Sequence, residues 1–118
     1  YVILAVPLNK DTRDLIDYDK LKLMKKEAIL VNIARGEVVV QDDLIRALNE
    51  GLIRGAALDV MVPEPLPADN PLWKMDNVYI TPHCSASSNI FVERLVWLIE
   101  ENIENYLNGA ELKNIIKE

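Results

Sequence analysis

Three side chains of this sequence, Arg35, Glu64 and His83, could together carry out chemistry on a small organic acid. Each follows a short apolar run that is predicted to be a β-strand; these runs are 28–33, 55–60 and 77–81. In an open parallel α/β sheet, ligands bind outside the carboxyl ends of the strands, so the three groups are expected to converge on one crevice. An arginine can hold a carboxylate by two parallel hydrogen bonds, a histidine can exchange a proton, and a glutamate can orient and charge that histidine. Such a set suits the reduction of a carbonyl that lies next to a carboxylate.

Each of these side chains also has a plain structural explanation. Arg35 could be an ordinary surface arginine, although the Gly36 that follows it allows a tight turn and a close approach of the backbone to a ligand. His83 is the one histidine of the chain and could be structural or exposed, whereas an ordinary imidazole pKa of about 6.5 suits a proton donor near neutrality. Glu64 could be a loop carboxylate that faces solvent. Spacing alone does not show that it reaches His83.

Two neighbouring residues leave their alternatives open. Asp59 ends an apolar strand and is either a turn or cap aspartate or an acceptor for a cofactor amide. Cys84, beside His83, is expected to be a small packed residue rather than a nucleophile. With one histidine and one cysteine in the chain, we do not expect a metal site.

Size and charge limit the class of protein. A chain of 118 residues makes one domain at most, and a hydrophobic fraction of 50% allows a real core. The 13 basic and 19 acidic residues leave a net charge of −6, which argues against nucleic-acid binding. No apolar run approaches the roughly 20 residues of a membrane span. The single cysteine cannot form a disulfide within the chain, which favours the cytoplasm.

Strand and helix patterns alternate along the chain. Strands are predicted at 2–6, 28–33, 55–60 and 78–81, with a short extended piece at 38–40. Helices are predicted at 18–26 after the cap Asp17, from Gln41 to the C′ residue Gly51, and from a Ser87 or Ser88 cap to Asn108. An ordered proline-rich loop contains Pro63, Pro65, Pro67 and Pro71. The alternation predicts an α/β fold, a partial Rossmann-like doubly wound sheet of parallel strands with right-handed crossovers and a long C-terminal helix.

The long C-terminal helix carries a broad apolar stripe. Its apolar residues recur at helical spacing from Phe91 to Leu107, and Val92 and Val96 widen the stripe. We therefore expect this helix to be buried against the sheet and against a second domain or subunit. The tail at 112–116 is expected to add a short extended segment. Because the chain opens directly on a strand pattern, we expect it to be a piece of a longer polypeptide.

Five ordered motifs cover nearly the whole chain. They are Val6-Pro7-Leu8 with Thr12 and Leu15-Ile16, Leu30-Val31-Asn32-Ile33-Ala34-Arg35-Gly36, Gly55-Ala56-Ala57-Leu58-Asp59-Val60, Glu64-Pro65-Leu66-Pro67, and Thr81-Pro82-His83. In this order and spacing they resemble the D-isomer-specific 2-hydroxyacid dehydrogenase family. Any one motif alone would be weak evidence.

The resemblance implies a role for each motif residue. Arg35 matches an arginine that binds the substrate carboxylate and polarises the 2-oxo group, Glu64 a glutamate that pairs with the catalytic histidine, and His83 the acid/base itself. Asp59 resembles an aspartate that contacts the nicotinamide carboxamide. Two further sets match cofactor positions: Val6, Pro7 and Thr12 on the adenosine side, and the backbone of Ile33 and Ala34 near the nicotinamide.

The resemblance also implies the reaction and the partners. NAD, with NADP as the alternative, would exchange a hydride with C2 of a small 2-oxo acid to give a D-2-hydroxy acid, an oxidoreductase activity of the EC 1.1.1 type. Glyoxylate, hydroxypyruvate, 3-phosphoglycerate and lactate are the candidate substrate types. A homodimer formed through the nucleotide-binding domain is expected, with no nucleic acid or membrane as partner.

Two departures from the family pattern limit the expected activity. The Gly-x-Gly-x-x-Gly phosphate loop and the charged residue that selects NAD or NADP are absent. Residues 1–118 therefore resemble the second half of a nucleotide-binding domain, with 109–118 as a return segment toward the substrate domain, and the isolated chain is expected to be inactive. The stretch from Cys84 to Ser88 is also more polar than usual. Two alternatives stay open, a corepressor-like protein that senses NADH and a catalytically inert structural fragment.

Overall fold

The computed structural model describes residues 1–115, which divide into two compact units, Tyr1–Ser85 and the residues from Ala86 onward. The first unit is built on a four-stranded parallel sheet whose strands lie side by side in chain order. These strands are β1 (Val2–Leu4), β2 (Ile29–Asn32), β3 (Gly55–Leu58) and β4 (Val78–Ile80). The predicted parallel α/β sheet is confirmed, and each strand ends earlier than predicted.

The early strand ends have a common cause in the sheet register. Leu4 pairs with Asn32, Asn32 with Leu58, and Leu58 with Ile80. All four strands therefore leave the ladder at the same level. The apolar residues that continue the sequence pattern beyond this level, such as Val6 and Val60, already belong to the loops at the carboxyl edge.

Two helices connect the first three strands. They are α1 (Tyr18–Lys22) and α2 (Gln41–Asn49). The predicted cap is confirmed, since the Asp17 side chain accepts a hydrogen bond from the Lys20 N–H at 2.9 Å, but α1 ends four residues before the predicted Lys26. Gly51 follows α2 with φ +65°, the left-handed conformation expected of a C′ residue.

The predicted extended piece at 38–40 is confirmed for Val39 and Val40, whose backbones are extended, and wrong for Val38. Gly36–Val38 forms a single 3₁₀ turn, and Val39 pairs in an isolated parallel bridge with Ile16. The turn after Arg35 takes the first valine, and the other two lead the chain into α2. The proline-rich loop is confirmed as ordered, and it contains a second 3₁₀ turn at Pro71–Lys74.

The core of the first unit lies on one face of the sheet. It joins buried residues of the strands with buried residues of both helices, among them Leu30, Ala56, Leu58, Leu21, Leu44 and Leu48. On the other face, the register row Ile3, Val31, Ala57 and Tyr79 is half-buried or exposed. Every predicted site residue up to His83 therefore belongs to a unit with its own core.

The second unit consists of α3 (Phe91–Leu107) and the residues after it. The predicted Ser87 or Ser88 cap is wrong, because the helix begins at Phe91 and its N-cap Ile90 makes no side-chain cap bond. Ser88 contributes its main-chain carbonyl, which accepts the Phe91 N–H at 3.2 Å. No residue of α3 is buried, and the burial of its apolar stripe against a second domain or subunit stays a prediction.

The tail folds back along α3 instead of extending. The Asn102 side chain accepts the Lys113 N–H at 2.7 Å and donates to the Lys113 carbonyl at 3.2 Å. The Lys113 ammonium pairs with Glu101 and lies 4.9 Å from the centre of the Trp97 ring. The extended segment predicted at 112–116 is therefore wrong for residues 112–115. Residue 116, and residues 116–118 of the predicted return segment, lie outside the described part of the chain.

None of the helices within residues 1–115 is long and apolar enough to cross a membrane.

Candidate active site

The predicted site residues all follow strand ends at the carboxyl edge of the sheet. Val6 and Pro7 follow β1, Arg35 follows β2, Asp59 and then Glu64 follow β3, and His83 follows β4. Because the four strands end at one level, these loops emerge side by side. Glu64 and His83 line one cavity at this edge and Arg35 lines another, so the convergence of all three side chains on one crevice stays a prediction.

Glu64 and His83 form a direct pair, which the sequence spacing could not show. Oε2 of Glu64 lies 2.8 Å from Nδ1 of His83, and Oε1 accepts the Met61 N–H at 2.9 Å. The carboxylate is thus held on both sides, and it orients the imidazole through Nδ1. Nε2, on the opposite edge of a ring whose side chain is 47% exposed, is the atom that can exchange a proton with a ligand.

The Glu64 carboxylate is kept in its charged form. Partial burial acts to raise its pKa, but the hydrogen bonds from His83 and the Met61 N–H and the positive charges of His83 and Arg35 outweigh burial. The pKa of Glu64 therefore lies below its ordinary value of 4.5. The charged carboxylate is therefore retained as the partner that orients the imidazole of His83.

The backbone of His83 adopts an unusual conformation. Its φ of 51° places a non-glycine residue in the left-handed region, which costs about 1 kcal/mol. The His83 N–H donates to the carbonyl of Asp59 at 2.9 Å and to that of Thr81 at 3.1 Å. These contacts hold the turn that aims the ring at Glu64.

Asp59 is buried, with 3% of its surface exposed. Oδ1 accepts hydrogen bonds from the Thr81 hydroxyl at 2.5 Å and the Cys84 N–H at 2.8 Å, and Oδ2 accepts the Ser85 N–H at 2.9 Å. Burial acts to raise the pKa of Asp59, but these donors outweigh burial and hold the pKa well below its usual range. The geometry is that of a turn aspartate, one of the two sequence interpretations. The contact of Asp59 with a cofactor amide stays a prediction.

Arg35 is exposed and extended, with φ −145°. One guanidinium nitrogen donates to the Ala34 carbonyl at 2.7 Å, and its charge helps to lower the pKa of Glu64. The Gly36 beside it does allow a close approach, but to protein rather than ligand, since a Cβ there would lie 2.1 Å from the Met61 carbonyl oxygen. Only glycine lets the loops after β2 and β3 come so near.

Four of the predicted cofactor residues line one cavity together with Arg35, and Thr12 and Asp59 do not line it. Its volume is about 430 Å³, and its lining includes Val6, Pro7, Ile33, Ala34 and Arg35. Thr12 lies outside the lining and holds the loop before it, donating from its hydroxyl to the Pro7 carbonyl at 2.7 Å. More than half of its lining surface is polar, and Arg35 supplies a guanidinium to it. Within residues 1–115, no three His, Cys, Asp or Glu side chains are placed to hold a metal ion.

Two residues of the site edge were given no role from sequence. Asn32, only 1% exposed, donates to the Arg35 carbonyl at 2.9 Å and accepts the Ala34 N–H at 3.1 Å. Gln41, at the start of α2, donates to the Val62 carbonyl at 2.6 Å and accepts the Val62 N–H at 3.0 Å. A polar residue inside an apolar strand was the available signal for Asn32. For Gln41 there was none, because its partner is 21 residues away.

Comparison with known proteins bears on the family and the fold of the chain. Residues 1–85 match the family model described as D-isomer specific 2-hydroxyacid dehydrogenase, NAD binding domain. The chain belongs to this family. Its sequence is 41% identical over 118 residues to a glyoxylate reductase of Korarchaeum cryptofilum, covering 100% of this chain and 36% of the relative. It is 43% identical over 116 residues to a D-3-phosphoglycerate dehydrogenase of Methanocaldococcus jannaschii, covering 98% and 22%.

A solved structure of the same dehydrogenase family has a similar fold. The D-isomer specific 2-hydroxyacid dehydrogenase from Xanthobacter autotrophicus Py2, in complex with NADPH and MES, superposes with a TM-score of 0.90 at 38% identity. The match covers 98% of this chain and 47% of that chain. Since the chain spans about a third of the length of the glyoxylate reductase, the dehydrogenase fold and family are shown for this portion alone.

Proposed function

We propose that this chain is the catalytic second half of the nucleotide-binding domain of a D-2-hydroxyacid dehydrogenase that transfers a hydride between NAD(P)H and C2 of a small 2-oxo acid. The observation that carries the proposal is the 2.8 Å contact between Glu64 and His83, at the strand edge that also presents Arg35. A charged carboxylate, an imidazole and a guanidinium at one edge of the sheet are the groups that such a reduction requires.

The three side chains divide the reaction among them. The Arg35 guanidinium holds the substrate carboxylate, and its charge stabilises the oxygen that becomes negative at C2. Protonated His83 gives the proton of Nε2 to that oxygen, and Glu64 stabilises the imidazolium and keeps Nε2 aimed outward. In the reverse direction, neutral His83 accepts the proton of the hydroxy acid. The bound nicotinamide supplies or accepts the hydride.

The cavity beside Arg35 supports a place for part of the cofactor. Of the residues that line it, Ile33 and Ala34 are proposed to lie near the nicotinamide, and Val6 and Pro7 on the adenosine side. We assign to Asp59 a contact with the nicotinamide carboxamide, with Thr12 holding the β1 loop. The residues present fit one part of a dinucleotide. They include no phosphate loop, so we propose that the isolated chain is inactive and that either NAD or NADP serves.

Substrate and assembly follow from the family and the exposed surface. Because similar proteins include a glyoxylate reductase and a D-3-phosphoglycerate dehydrogenase, we propose that the substrate is a small 2-oxo acid, with glyoxylate and hydroxypyruvate tested first.

The exposed apolar side chains of α3, such as Leu95 and Ile99, favour a homodimer formed through this domain. The free Cys84 suits the cytoplasm. Residues 109–118 are proposed to return toward the substrate domain.

The proposal is tested on the complete polypeptide that contains this chain. Oxidation of NADH and NADPH is followed by absorbance with a panel of 2-oxo acids, with the 118-residue chain and the exposed substitution Asp69→Asn as controls. Turnover of one acid by the complete protein and by Asp69→Asn supports the dehydrogenase. Cofactor binding without turnover of any acid contradicts it and favours a protein that senses NADH.

A further inference from the structure

Three polar side chains outside the Arg35, Glu64 and His83 set each bind the main chain of one loop of the site. Asn32 binds the loop after β2, Gln41 the loop after β3, and Asp59 the loop after β4. Each makes at least two hydrogen bonds to groups within three residues of one of the three reacting side chains. Each of the three polar side chains therefore holds the loop of a different reacting side chain.

Asn32 closes the turn that carries Arg35. Its amide spans the turn, accepting from the Ala34 N–H and donating to the Arg35 carbonyl. Both groups face a side chain that is 1% exposed, where water cannot replace a lost partner without rearrangement. An unpaired buried donor or acceptor is costly, so the turn keeps this conformation as long as Asn32 is present.

Gln41 braces the segment that leads into Glu64. Its amide binds both the N–H and the carbonyl of Val62, two residues before Glu64. The side chain projects from the first turn of α2, a helix anchored in the core by Leu44 and Leu48. A loop with four prolines has few main-chain donors of its own, so this contact ties it to a rigid element.

Asp59 gathers the turn that carries His83. Its side chain binds Thr81 on one side of His83 and the N–H groups of Cys84 and Ser85 on the other, while its own carbonyl accepts the His83 N–H. This enclosure holds the left-handed backbone of His83. The Asp59 N–H in turn donates to the Asn32 carbonyl at 3.0 Å. This hydrogen bond connects Asp59 directly to Asn32.

We propose that Asn32, Gln41 and Asp59 are positioning residues, which hold Arg35, Glu64 and His83, respectively, in the geometry of the reaction. The inference rests on the proposed dehydrogenase function, and for Asp59 it adds to the cofactor contact assigned above. The reacting side chains lie on loops, and a displacement of about 1 Å can cost a factor of about 100 in rate. Asn32 and Asp59, at the ends of two strands, and Gln41, at the start of a helix, limit such displacements of the loops.

The kinetic test is made on the complete polypeptide with three substitutions. Asn32→Ser is too short to span its turn, and it should raise KM for the 2-oxo acid with little change in kcat, because Arg35 grips the substrate before and during the reaction. Gln41→Met and Asp59→Asn should lower kcat about 10- to 100-fold with KM nearly unchanged, because they misplace the proton donor. Asn77→Ser and Asp69→Asn, both exposed, are the matched controls.

A double substitution separates positioning from a general loss of stability. Because Gln41 is proposed to act through Glu64, Gln41→Met should reduce kcat far less in a Glu64→Gln background than in the wild type. An equal reduction in both backgrounds would overturn its positioning role. Likewise, variants with reduced urea resistance but with kcat and KM equal to those of the controls overturn the inference and leave the dehydrogenase function intact.

A structural readout on the 118-residue chain does not depend on turnover. His83 is the only histidine, so its imidazole ¹⁵N signals in an NMR spectrum are unambiguous. Gln41→Met and Asp59→Asn should shift the Nδ1 signal away from its hydrogen-bonded position, whereas Asp69→Asn should not. Unshifted signals in folded variants overturn the inference. If the complete wild-type protein reduces no acid, the proposed function fails, and these spectra alone decide the positioning roles of Gln41 and Asp59.

Discussion

The Nδ1 atom of His83 lies 2.8 Å from Oε2 of Glu64 across 19 residues of sequence. The two residues come from loops after adjacent strands, β3 and β4, which end at the same level of the sheet. The contact turns a half-exposed imidazole into an oriented group with a charged partner. Most of the expected behaviour of this site follows from that relationship.

His83→Ala should lower kcat for 2-oxo acid reduction by a factor of about 10² to 10⁴, the usual contribution of a positioned acid/base. Binding of NADH should be nearly unchanged, since the imidazole is not part of the cavity beside Arg35. Steady-state kinetics and fluorescence titration of NADH measure the two effects in the complete polypeptide. Unchanged turnover would refute the acid/base assignment.

Glu64→Gln should lower kcat for 2-oxo acid reduction by a factor of about 10 to 100, because the proton donor His83 loses its charged, orienting partner. The pKa of Glu64 is held below 4.5, so the wild type keeps this negative charge throughout the neutral range. The glutamine removes the charge but retains the shape. The exposed substitution Glu27→Gln is the control, and a kcat equal to that of the wild type would show that the charge is not used.

Arg35→Lys should lower kcat/KM for 2-oxo acids by a factor of about 100, because an ammonium cannot form two parallel hydrogen bonds with a carboxylate. The change should be smaller for substrate analogues that lack the carboxylate. Kinetics with a matched pair, a 2-oxo acid and its methyl ester, checks this. Equal losses on both compounds would speak against a carboxylate contact.

Asp59→Asn should lower the free energy of unfolding at pH 7 by about 1–3 kcal/mol, since the amide turns a donor toward the Ser85 N–H. The folded-state pKa of Asp59 is depressed below 3.8, so its stabilisation is fully present above the unfolded value and is lost as pH falls toward the folded value. The difference in free energy of unfolding between the wild type and the variant should therefore become smaller below pH 3.8. Urea unfolding followed by circular dichroism between pH 7 and about 2.5 tests this, and a gap independent of pH would contradict it.

Gly36→Ala should destabilise the chain by about 1–3 kcal/mol through overpacking, because the new methyl group meets the Met61 carbonyl. Gly51→Ala is the comparison, since its methyl group would enter open space and its only cost is the left-handed φ of 65°, about 1 kcal/mol. Urea midpoints of the two variants measure the difference. A smaller loss for Gly36→Ala would mean that the two loops can separate freely.

The amino-acid sequence by itself determined the strands, their parallel direction, and Arg35, Glu64 and His83 as candidate site residues. Short apolar runs with polar residues at their ends are local signals, and parallel topology then places all strand ends at one edge. Helix ends were less predictable. Ser87 and Ser88 are favourable capping residues, so the sequence predicted that α3 begins directly after them. In the structure a turn follows the serines first, and the helix begins at Phe91.

Only the tertiary structure decided which of these groups meet. The Glu64–His83 contact, the reach of Gln41 to Val62 and the approach of Gly36 to Met61 join segments 19 to 25 residues apart. Such contacts depend on how α2 and the β3 loop pack on the sheet, which no local pattern encodes. The same is true of Asp59, whose carboxylate is buried because the turn after β4 closes over it.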